Sequence, residues 1–262
     1  MKIGVIGNGF VGNAVAQFFK TRLPTVVWDK DETRSTGTFQ EVMESDFVFL
    51  CLPSPTNEDG SQDITAIYEI VDIINMTTHK PILILKSTVL PGTTQRLADK
   101  YPDLNFVYNP EFLMAKTAVQ DFANPSDIVL GGADEFLQEV YALYSTYFPQ
   151  TPVLLCDYTT AEMIKYTRNT FLATKVAFFN EMYLLCKSLG VNYDTVREGV
   201  IASGRINPTH TQVPGPDGLF GFGGACFPKD TKALARFGKQ IGASDMLVLN
   251  AALELNKRVR KE

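Results

Sequence analysis

The sequence predicts an α/β protein in which a doubly wound parallel sheet is followed by a smaller all-α domain. Over the first 155 residues, short apolar runs rich in Val and Ile alternate with helix-like segments. This alternation is typical of parallel strands covered by helices on both faces. After Cys156 comes a long stretch without Pro or Gly whose apolar residues recur close to every 3.6 positions, which indicates a long helix. We therefore expect two domains, residues 1–155 and 156–262.

The apolar pattern also places the individual elements. Six strands are expected at Lys2–Ile6, Thr25–Trp28, Phe47–Leu52, Ile82–Leu85, Asn105–Tyr108 and Ile128–Leu130. Helices are expected between them at Phe10–Thr21, Ile64–Asn75 and Glu135–Tyr147. In the second domain we expect helices at Tyr158–Ser188, before Gly190, and at Tyr193–Ala202, then a Gly- and Pro-rich loop over Asn207–Gly224, and helical pattern again near Asp230 and from Ser244.

Composition excludes several classes of protein. The net charge is −5, so the basic footprint of a nucleic-acid-binding protein is missing. Four Cys residues without a C-x-x-C pair, and only two His, favour neither a disulfide framework nor a metal site. No apolar run approaches the roughly 20 residues that span a bilayer, and the N-terminus lacks signal-peptide architecture. We expect a cytoplasmic protein without a nucleic-acid or membrane partner.

A glycine fingerprint lies directly after the first predicted strand. Gly7, Gly9 and Gly12 have the spacing G-x-G-x-x-G and open a helix, and Asp29 ends the next strand. This context predicts a Rossmann-like dinucleotide site, in which the glycines allow a tight turn, close approach of a pyrophosphate and close helix packing. The helix N-terminus favours phosphate, and the Asp29 carboxylate would accept hydrogen bonds from ribose hydroxyls.

The choice between NAD and NADP depends on the charges beside that ribose. Asp29 would repel a 2′-phosphate, which favours NAD. Lys30 and Arg34 follow closely and keep NADP open as an alternative. A structural turn with no ligand is the other interpretation of these glycines.

Three later segments carry residues suited to chemistry. Lys86-Ser87-Thr88-Val89 and Asn109-Pro110-Glu111-Phe112 each follow a strand, where open parallel sheets bind ligands. A raised pKa that suits acid–base work is one interpretation of Glu111, and a solvated Glu is the interpretation favoured when this segment is considered alone. In Gly223-Gly224-Ala225-Cys226, small residues leave room around the thiol, and Lys229 would favour its thiolate. An ordinary buried Cys is the alternative.

The long helix presents a Lys and an Asn on one face. Lys165 and Asn169 are four residues apart, which places them one turn from each other. A Lys and an Asn directed into one cleft can hold an oxyanion. A solvated helix face explains the same pattern when it is considered alone.

Together these segments resemble the UDP-glucose/GDP-mannose dehydrogenase family over nearly the whole chain. The resemblance rests on the glycine fingerprint and on Lys86–Val89, Asn109–Leu113, Ala161–Asn169 and Gly223–Asp230, in the order in which the family has them. It implies a second domain like that of 6-phosphogluconate dehydrogenase and a homodimer formed through the long helix. It also implies that two NAD⁺ oxidise the primary alcohol of a nucleotide sugar to a carboxylate, with UDP-glucose as the expected substrate.

The resemblance assigns roles to individual residues. Cys226 would be the nucleophile that forms a thiohemiacetal and then a thioester, Lys165 and Asn169 would stabilise the oxyanion, and Asp230, Glu111 and Thr88 would position water. The residues expected to contact the cofactor are Gly7, Asn8, Gly9, Phe10, Val11, Gly12, Asp29, Arg34, Thr56, Thr88 and Lys229. Those expected to contact the substrate are Glu111, Phe112, Leu113, Lys165, Asn169, Gly223 and, from a neighbouring subunit, Arg205. The loop Gly215–Gly224 resembles the family's substrate loop.

Two departures from the family pattern keep other functions open. Met114-Ala115-Lys116 replaces the acidic segment that usually follows Pro-Glu-Phe-Leu, and we expect the chain to lack the family's C-terminal nucleotide-binding domain. A two-electron dehydrogenase of the hydroxyacid type needs no nucleophilic Cys and is one alternative. A non-catalytic NAD-binding homologue is the other.

Overall fold

The computed structural model describes residues 1–261, and its centre is one seven-stranded sheet. The strands are β1 (Ile3–Ile6), β2 (Thr25–Trp28), β3 (Phe47–Leu50), β4 (Ile82–Leu85), β5 (Asn105–Tyr108), β6 (Ile128–Gly132) and β7 (Val153–Cys156), arranged in the order β2-β1-β3-β4-β5-β6-β7. The α/β, Rossmann-like class predicted from the sequence is confirmed.

The expectation that all strands run parallel is wrong at one pair. Val107 and Tyr108 of β5 pair with Gly132 and Gly131 of β6 in antiparallel register, and β7 then runs parallel to β6. A short apolar strand has the same composition in either direction, so the sequence pattern does not determine the direction of β6. The strand β7 was not predicted; it lies at the sheet edge, and Leu154 is half exposed there.

Helices cover both faces of the sheet. They are α1 (Phe10–Phe19), α2 (Phe39–Met43), α3 (Thr65–Asn75), α4 (Thr93–Lys100), α5 (Ala118–Ala123) and α6 (Asp134–Tyr147). Alternate strand residues enter two separate apolar layers: Val5 and Phe49 pack on one side, and Ile6 and Leu50 on the other. Each such side chain contributes about 1.5–3 kcal/mol to folding when it is fully buried. The two layers therefore hold the strands, and with them the strand ends, in place.

The second half of the chain is helical. It comprises α7 (Tyr158–Leu189), α8 (Tyr193–Ile201), α9 (Phe227–Gln240) and α10 (Leu247–Val259). At about 1.5 Å per residue, the 32 residues of α7 extend about 48 Å. Gly190 takes a φ of 70° just after α7, which fits its predicted role as a helix stop. Among the described residues, no helix has the length and apolar character needed to cross a membrane.

The chain forms two compact units. The first contains residues 1–55 and 62–165, and the second contains Thr56–Ser61 and the chain from Tyr166 onward. The border falls inside α7, between Lys165 and Tyr166. In the second unit, Ala173, Ala177, Phe222 and Ala252 form one apolar cluster, and Phe179, Cys186, Tyr193 and Val213 form another.

Candidate functional site

The turn between β1 and α1 has the geometry expected of a dinucleotide cradle. Gly7 takes a φ of 91°, a conformation in which a side chain would be strained. A Cβ on Gly12 would overlap the Gly7 carbonyl oxygen, whereas one on Gly9 would meet nothing within 4 Å. Gly12 is therefore needed by the fold, and the space over Gly9 is open to a ligand.

The polar groups around this turn fit NAD. Asp29 accepts the Asn8 N–H through Oδ2 (2.5 Å) and the Asp31 N–H through Oδ1 (2.9 Å), which fixes its carboxylate at the end of β2. The Oδ1 atom of Asn8 is buried without a hydrogen-bond partner. The first turn of α1 has neither an acidic side chain nor a side-chain cap, so its N–H groups suit a pyrophosphate. Phe10, the first residue of α1, is 38% exposed there, and Val11 is half-buried.

Arg34 pairs with a carboxylate three residues before it in the sequence. Its Nε lies 3.2 Å from Asp31 Oδ2 on the exposed short helix Glu32–Arg34, and its carbonyl accepts Asn8 Nδ2. The guanidinium charge is thereby offset by a carboxylate.

A buried polar cluster lies where β4 and β5 end. Lys86 donates to Asn109 Oδ1 (2.7 Å), Tyr144 donates to the same oxygen, and Asn109 Nδ2 donates to the Val129 carbonyl (2.8 Å). Burial lowers the pKa of Lys86 to about 8 and raises the pKa of the Cys51 thiol to about 12. Thr88, two residues after Lys86, is also buried, and its carbonyl accepts a hydrogen bond from Gln62 Nε2 (2.7 Å).

Glu111 and Lys165 form a buried ion pair. The Nζ–Oε1 distance is 2.8 Å, and the side chains are 6% and 2% exposed, respectively. Nζ also donates to the Glu111 carbonyl, and Glu111 Oε2 accepts the Leu113 N–H (2.7 Å). The Phe112 ring centroid lies 5.4 Å from Nζ, within range of a cation–π contact.

The raised pKa considered for Glu111 is wrong, because the pKa of this carboxyl is lowered. Burial by itself raises the pKa, but the Lys165 ammonium, the hydrogen bonds from Lys165 and Leu113, and the Lys86 charge outweigh burial and hold the pKa below its ordinary value. The local Pro and Phe neighbours suggested an apolar pocket, and the distant cation could not be seen in the sequence. The solvated states considered for Glu111, Lys165 and Asn169 are also excluded, since all three are buried.

A second polar cluster lies in the second unit. Asp230, which is fully buried, accepts Asn169 Nδ2 at Oδ2 (2.6 Å) and pairs with Lys229 Nζ at Oδ1 (2.5 Å). Thr56 Oγ1 donates to the Lys229 carbonyl (3.3 Å). Lys229 is therefore oriented by a carboxylate, and Asn169 by the other oxygen of the same carboxylate.

Cys226 lies at the N-terminus of α9. It is the N-cap residue and is half-buried, and its carbonyl accepts the Asp230 N–H (2.8 Å). Cys226 and Asp230 are therefore one helical turn apart. The positive end of a helix dipole stabilises a thiolate.

The other predicted substrate residues lie in irregular segments. Arg205 is exposed in the turn after α8, and Gly223 is half-buried in the loop before α9. No helix or strand forms within 207–224, as the Gly and Pro content predicts.

The sequence interpretation missed Tyr144 and Glu162. Tyr144 follows the apolar pattern of α6 and gives no signal of its own. Glu162 Oε1 accepts the N–H (2.7 Å) and hydroxyl (2.6 Å) of Thr94, and its Oε2 accepts the Gly92 N–H (2.5 Å), so it caps α4 from α7. The sequence signal that was available for Glu162 is an acidic residue directly after the apolar position Ala161 on a long helix.

Known proteins resemble both parts of the chain. UDP-glucose 6-dehydrogenase AglM of Haloferax volcanii is 31% identical over 98% of this chain and 69% of its own length. UDP-glucose 6-dehydrogenase of Rickettsia bellii is 36% identical over 83% of this chain and 50% of its own length. The structure of a UDP-glucose dehydrogenase from Pyrobaculum islandicum superposes with a TM-score of 0.86 at 29% identity, over 98% of this chain and 68% of that one. The chain thus spans between half and about two thirds of the length of these relatives.

Family models match both halves. Residues 31–148 match the NAD binding domain of the UDP-glucose/GDP-mannose dehydrogenase family, and residues 159–258 match its central domain. The cofactor predicted from the glycine turn and Asp29, NAD, is confirmed by the first match. The two matches together cover most of the chain, and it therefore belongs to the UDP-glucose/GDP-mannose dehydrogenase family.

Proposed function

We propose that this chain carries out the NAD-dependent oxidation of a nucleotide sugar, with UDP-glucose converted to UDP-glucuronate. The observation that carries the proposal is that Lys165 and Asn169, one turn apart on α7, are both buried and each held by a carboxylate, Glu111 and Asp230. Packing of an apolar core does not explain these residues, because burying an ammonium costs several kcal/mol unless it is paired.

The overall reaction converts R–CH₂OH, two NAD⁺ and one water into R–COO⁻, two NADH and three H⁺. NAD accepts one hydride in each of the two oxidation steps. All remaining steps are assigned to this chain's own groups: one must form a covalent bond to carbon, one must hold the negative oxygen, and one must direct water.

Cys226 is assigned the covalent role. Once the primary alcohol has lost its first hydride and its proton, the thiolate adds to the resulting C6 aldehyde, and the oxyanion takes up a proton to give a thiohemiacetal. This adduct then loses its hydroxyl proton and a second hydride, which NAD⁺ would accept, to leave a thioester. Water attacks the thioester, the C–S bond breaks, and the thiolate is restored. The position at the start of α9 supports this role, because a thiolate there is favoured by the helix dipole and is a good nucleophile and leaving group.

Lys165 and Asn169 are assigned to the negative oxygen of these intermediates. Lys165 supplies N–H donors and a charge, and Asn169 supplies an amide N–H. Their orientation by Glu111 and Asp230 supports this role, since donors fixed in advance need no reorganisation during the reaction. The remaining role, positioning of the reacting water, is assigned to Asp230, Glu111 and Thr88.

Phe112, Leu113, Gly223 and Arg205 are assigned to the sugar nucleotide, the last from a second subunit. The residues Met114-Ala115-Lys116 lie after Leu113, and Met114 is 66% exposed. An acidic contact supplied there in the family is absent from this sequence, so weaker local substrate binding is expected.

A homodimer formed through α7 is part of the proposal. Phe171, Phe178 and Leu185 recur at two-turn spacing along α7 and are 64%, 52% and 52% exposed. Large exposed apolar side chains repeated along one helix are typical of an interface. Replacing Phe178 with Asp is expected to yield monomers in sedimentation at micromolar concentration, whereas the parent sediments as a dimer. A cytoplasmic location and functional domains at residues 1–155 and 156–262 remain predictions.

A substrate panel tests the proposal. The chain is incubated with NAD⁺ and, separately, UDP-glucose, GDP-mannose and UDP-N-acetyl sugars, and NADH and carboxylate product are quantified. Two NADH per sugar with one substrate support the proposal. One NADH per sugar, with aldehyde or ketone product, indicates a two-electron dehydrogenase. NAD binding without turnover of any sugar contradicts catalysis by this chain.

A further inference from the structure

The loop that precedes Cys226 is held by side chains from two helices. The Gly221 N–H donates to Asn180 Oδ1 (2.9 Å), and the Phe222 N–H donates to Asn256 Oδ1 (2.6 Å). Asn256 Nδ2 in turn donates to the Phe222 carbonyl (3.0 Å). The backbone of Phe222 is thus bound at both its polar groups by one amide side chain from the last turn of α10.

Arg260, the residue that follows α10, contacts the same loop. Its guanidinium donates to Asp217 Oδ2 (2.9 Å) and lies 3.5 Å from the Phe220 carbonyl oxygen. Its side chain is only 10% exposed. The loop is therefore held near its beginning as well as near its end.

These contacts also explain two glycines of the motif. Gly221 takes a φ of 71°, and a Cβ there would collide with Asn256 Oδ1. A Cβ on Gly223 would overlap the Arg260 guanidinium. Both positions must lack a side chain because Asn256 and Arg260 already occupy the space. The Asn180 and Asn256 amides are buried and partly buried beside Phe222, which is 2% exposed.

We propose that Asn256 and Arg260 are positioning residues that hold the loop Gly215–Gly224 in one conformation and thereby fix where Cys226 is presented. The inference rests on the proposed function in so far as Cys226 is the nucleophile. A nucleophile on an irregular segment needs such support, because small displacements of a reacting group cost large factors in rate.

The size of the effect follows from the number of bonds. A single hydrogen bond of this kind shifts a local opening equilibrium by about two- to tenfold. Asn256 makes two bonds to Phe222, so its removal is expected to raise the open fraction of the loop by about tenfold or more.

Amide hydrogen exchange and thiol labelling test the proposal without turnover. The full chain is prepared as Asn256→Ala, Arg260→Met and Gly223→Ala, with Arg258→Met as the matched control. Arg258 lies on α10 too, but it is 71% exposed and pairs with Glu254. Exchange of the Gly221 and Phe222 amides, and alkylation of Cys226 by iodoacetamide, are followed by peptide mass spectrometry.

We expect the Asn256→Ala variant to exchange these amides about tenfold faster and to alkylate Cys226 at an altered rate, with the Arg258→Met variant at the parental rates. Arg260→Met should also speed exchange of these amides. Gly223→Ala displaces the guanidinium without changing α10 and should speed exchange in the same way. Parental exchange in Asn256→Ala and Gly223→Ala would overturn the proposal, even if Arg260→Met does not fold.

Turnover separates this inference from the proposed function. Where the parent oxidises a nucleotide sugar, Asn256→Ala should lower kcat more than it raises KM, and Arg258→Met should change neither. A parent that oxidises no nucleotide sugar contradicts the proposed function, and the exchange and labelling rates still decide whether α10 holds the loop.

Discussion

Replacing Glu111 with Gln removes the charge that compensates a buried ammonium. In the parent, Lys165 Nζ lies 2.8 Å from Oε1, with both side chains almost fully buried. Gln keeps the shape but leaves Lys165 without a counter-charge, and the Leu113 N–H loses its carboxylate acceptor. Breaking a buried pair by removal of one partner costs about 3–5 kcal/mol. We expect the free energy of unfolding at pH 7 to fall by about that amount, a large part of the 5–15 kcal/mol typical of a domain.

The pH dependence of that loss has a definite sign. The folded-state pKa of Glu111 is lowered from its ordinary value of 4.5 because Lys165, with the accompanying hydrogen bonds, outweighs the opposing effect of burial. The stability contributed by ionised Glu111 is therefore fully present above pH 4.5 and is lost as the pH falls through the folded-state value. The difference between parent and Glu111→Gln should be constant at neutral pH and shrink in acid.

Urea unfolding followed by circular dichroism measures this difference at pH 7 and at several values down to pH 3.5. Lys165→Met and the double variant complete a cycle, which isolates the coupling between the two side chains. The double variant should regain part of the stability lost in Glu111→Gln, because it no longer buries an unpaired ammonium. The reasoning is refuted by a Gln variant within about 0.5 kcal/mol of the parent, or by a stability difference that is equal at every pH.

The remaining predictions concern the cradle and the cap of α4. Gly9→Ala should change the free energy of unfolding by no more than about 1 kcal/mol, because its Cβ meets nothing and the poorer N-cap is offset by the lower entropy of the unfolded chain. The same variant should weaken NAD binding by at least about tenfold in a fluorescence titration, and parental NAD affinity would contradict a pyrophosphate at Gly9. Gly12→Ala, whose Cβ overlaps the Gly7 carbonyl, should also lower the melting temperature, and an unchanged temperature would count against it. Glu162→Gln should speed exchange of the Gly92 and Thr94 amides, which the carboxylate accepts. Burial raises the pKa of Glu162, although hydrogen bonds from Thr94 and Gly92 oppose this rise. The stability of the parent relative to Glu162→Gln should therefore decrease as the pH rises through the folded-state pKa of Glu162, and a relative increase would contradict the assignment.

The fold was largely predictable because apolar strands and long helices are local patterns. Six strands and the main helices follow from runs of Val, Ile and Leu, and α7 from its 3.6-residue period. What failed was not local. The direction of β6 depends on its antiparallel pairing with β5, and β7 has a half-exposed Leu154 and lies at an edge, where little apolar pattern is required. The polar helix α4 ends with Lys100 and is capped by Glu162, 68 residues after Thr94.

The sequence supplies the candidate site residues as a prediction, but it does not show how their side chains pair. Glu111 and Lys165 are 54 residues apart in sequence, and Asn169 and Asp230 are 61 apart. Only the folded chain shows that each donor has its own carboxylate, and that the pKa of Glu111 is lowered rather than raised or unshifted as in a solvated Glu. Asn256 and Arg260 lie after the motif whose glycines they explain, so no spacing rule connects them to it.

The proposed covalent role of Cys226 is tested most directly by product stoichiometry in Cys226→Ala, with Cys156→Ser in β7 as the control. We expect the parent and the control to form two NADH and one carboxylate per nucleotide sugar, and the parent to show a sugar adduct on the Cys226 peptide in rapidly quenched samples. Carboxylate formation by Cys226→Ala should fall by at least about a thousandfold while NAD affinity stays at the parental value. Carboxylate formed by Cys226→Ala at the parental rate would contradict the account.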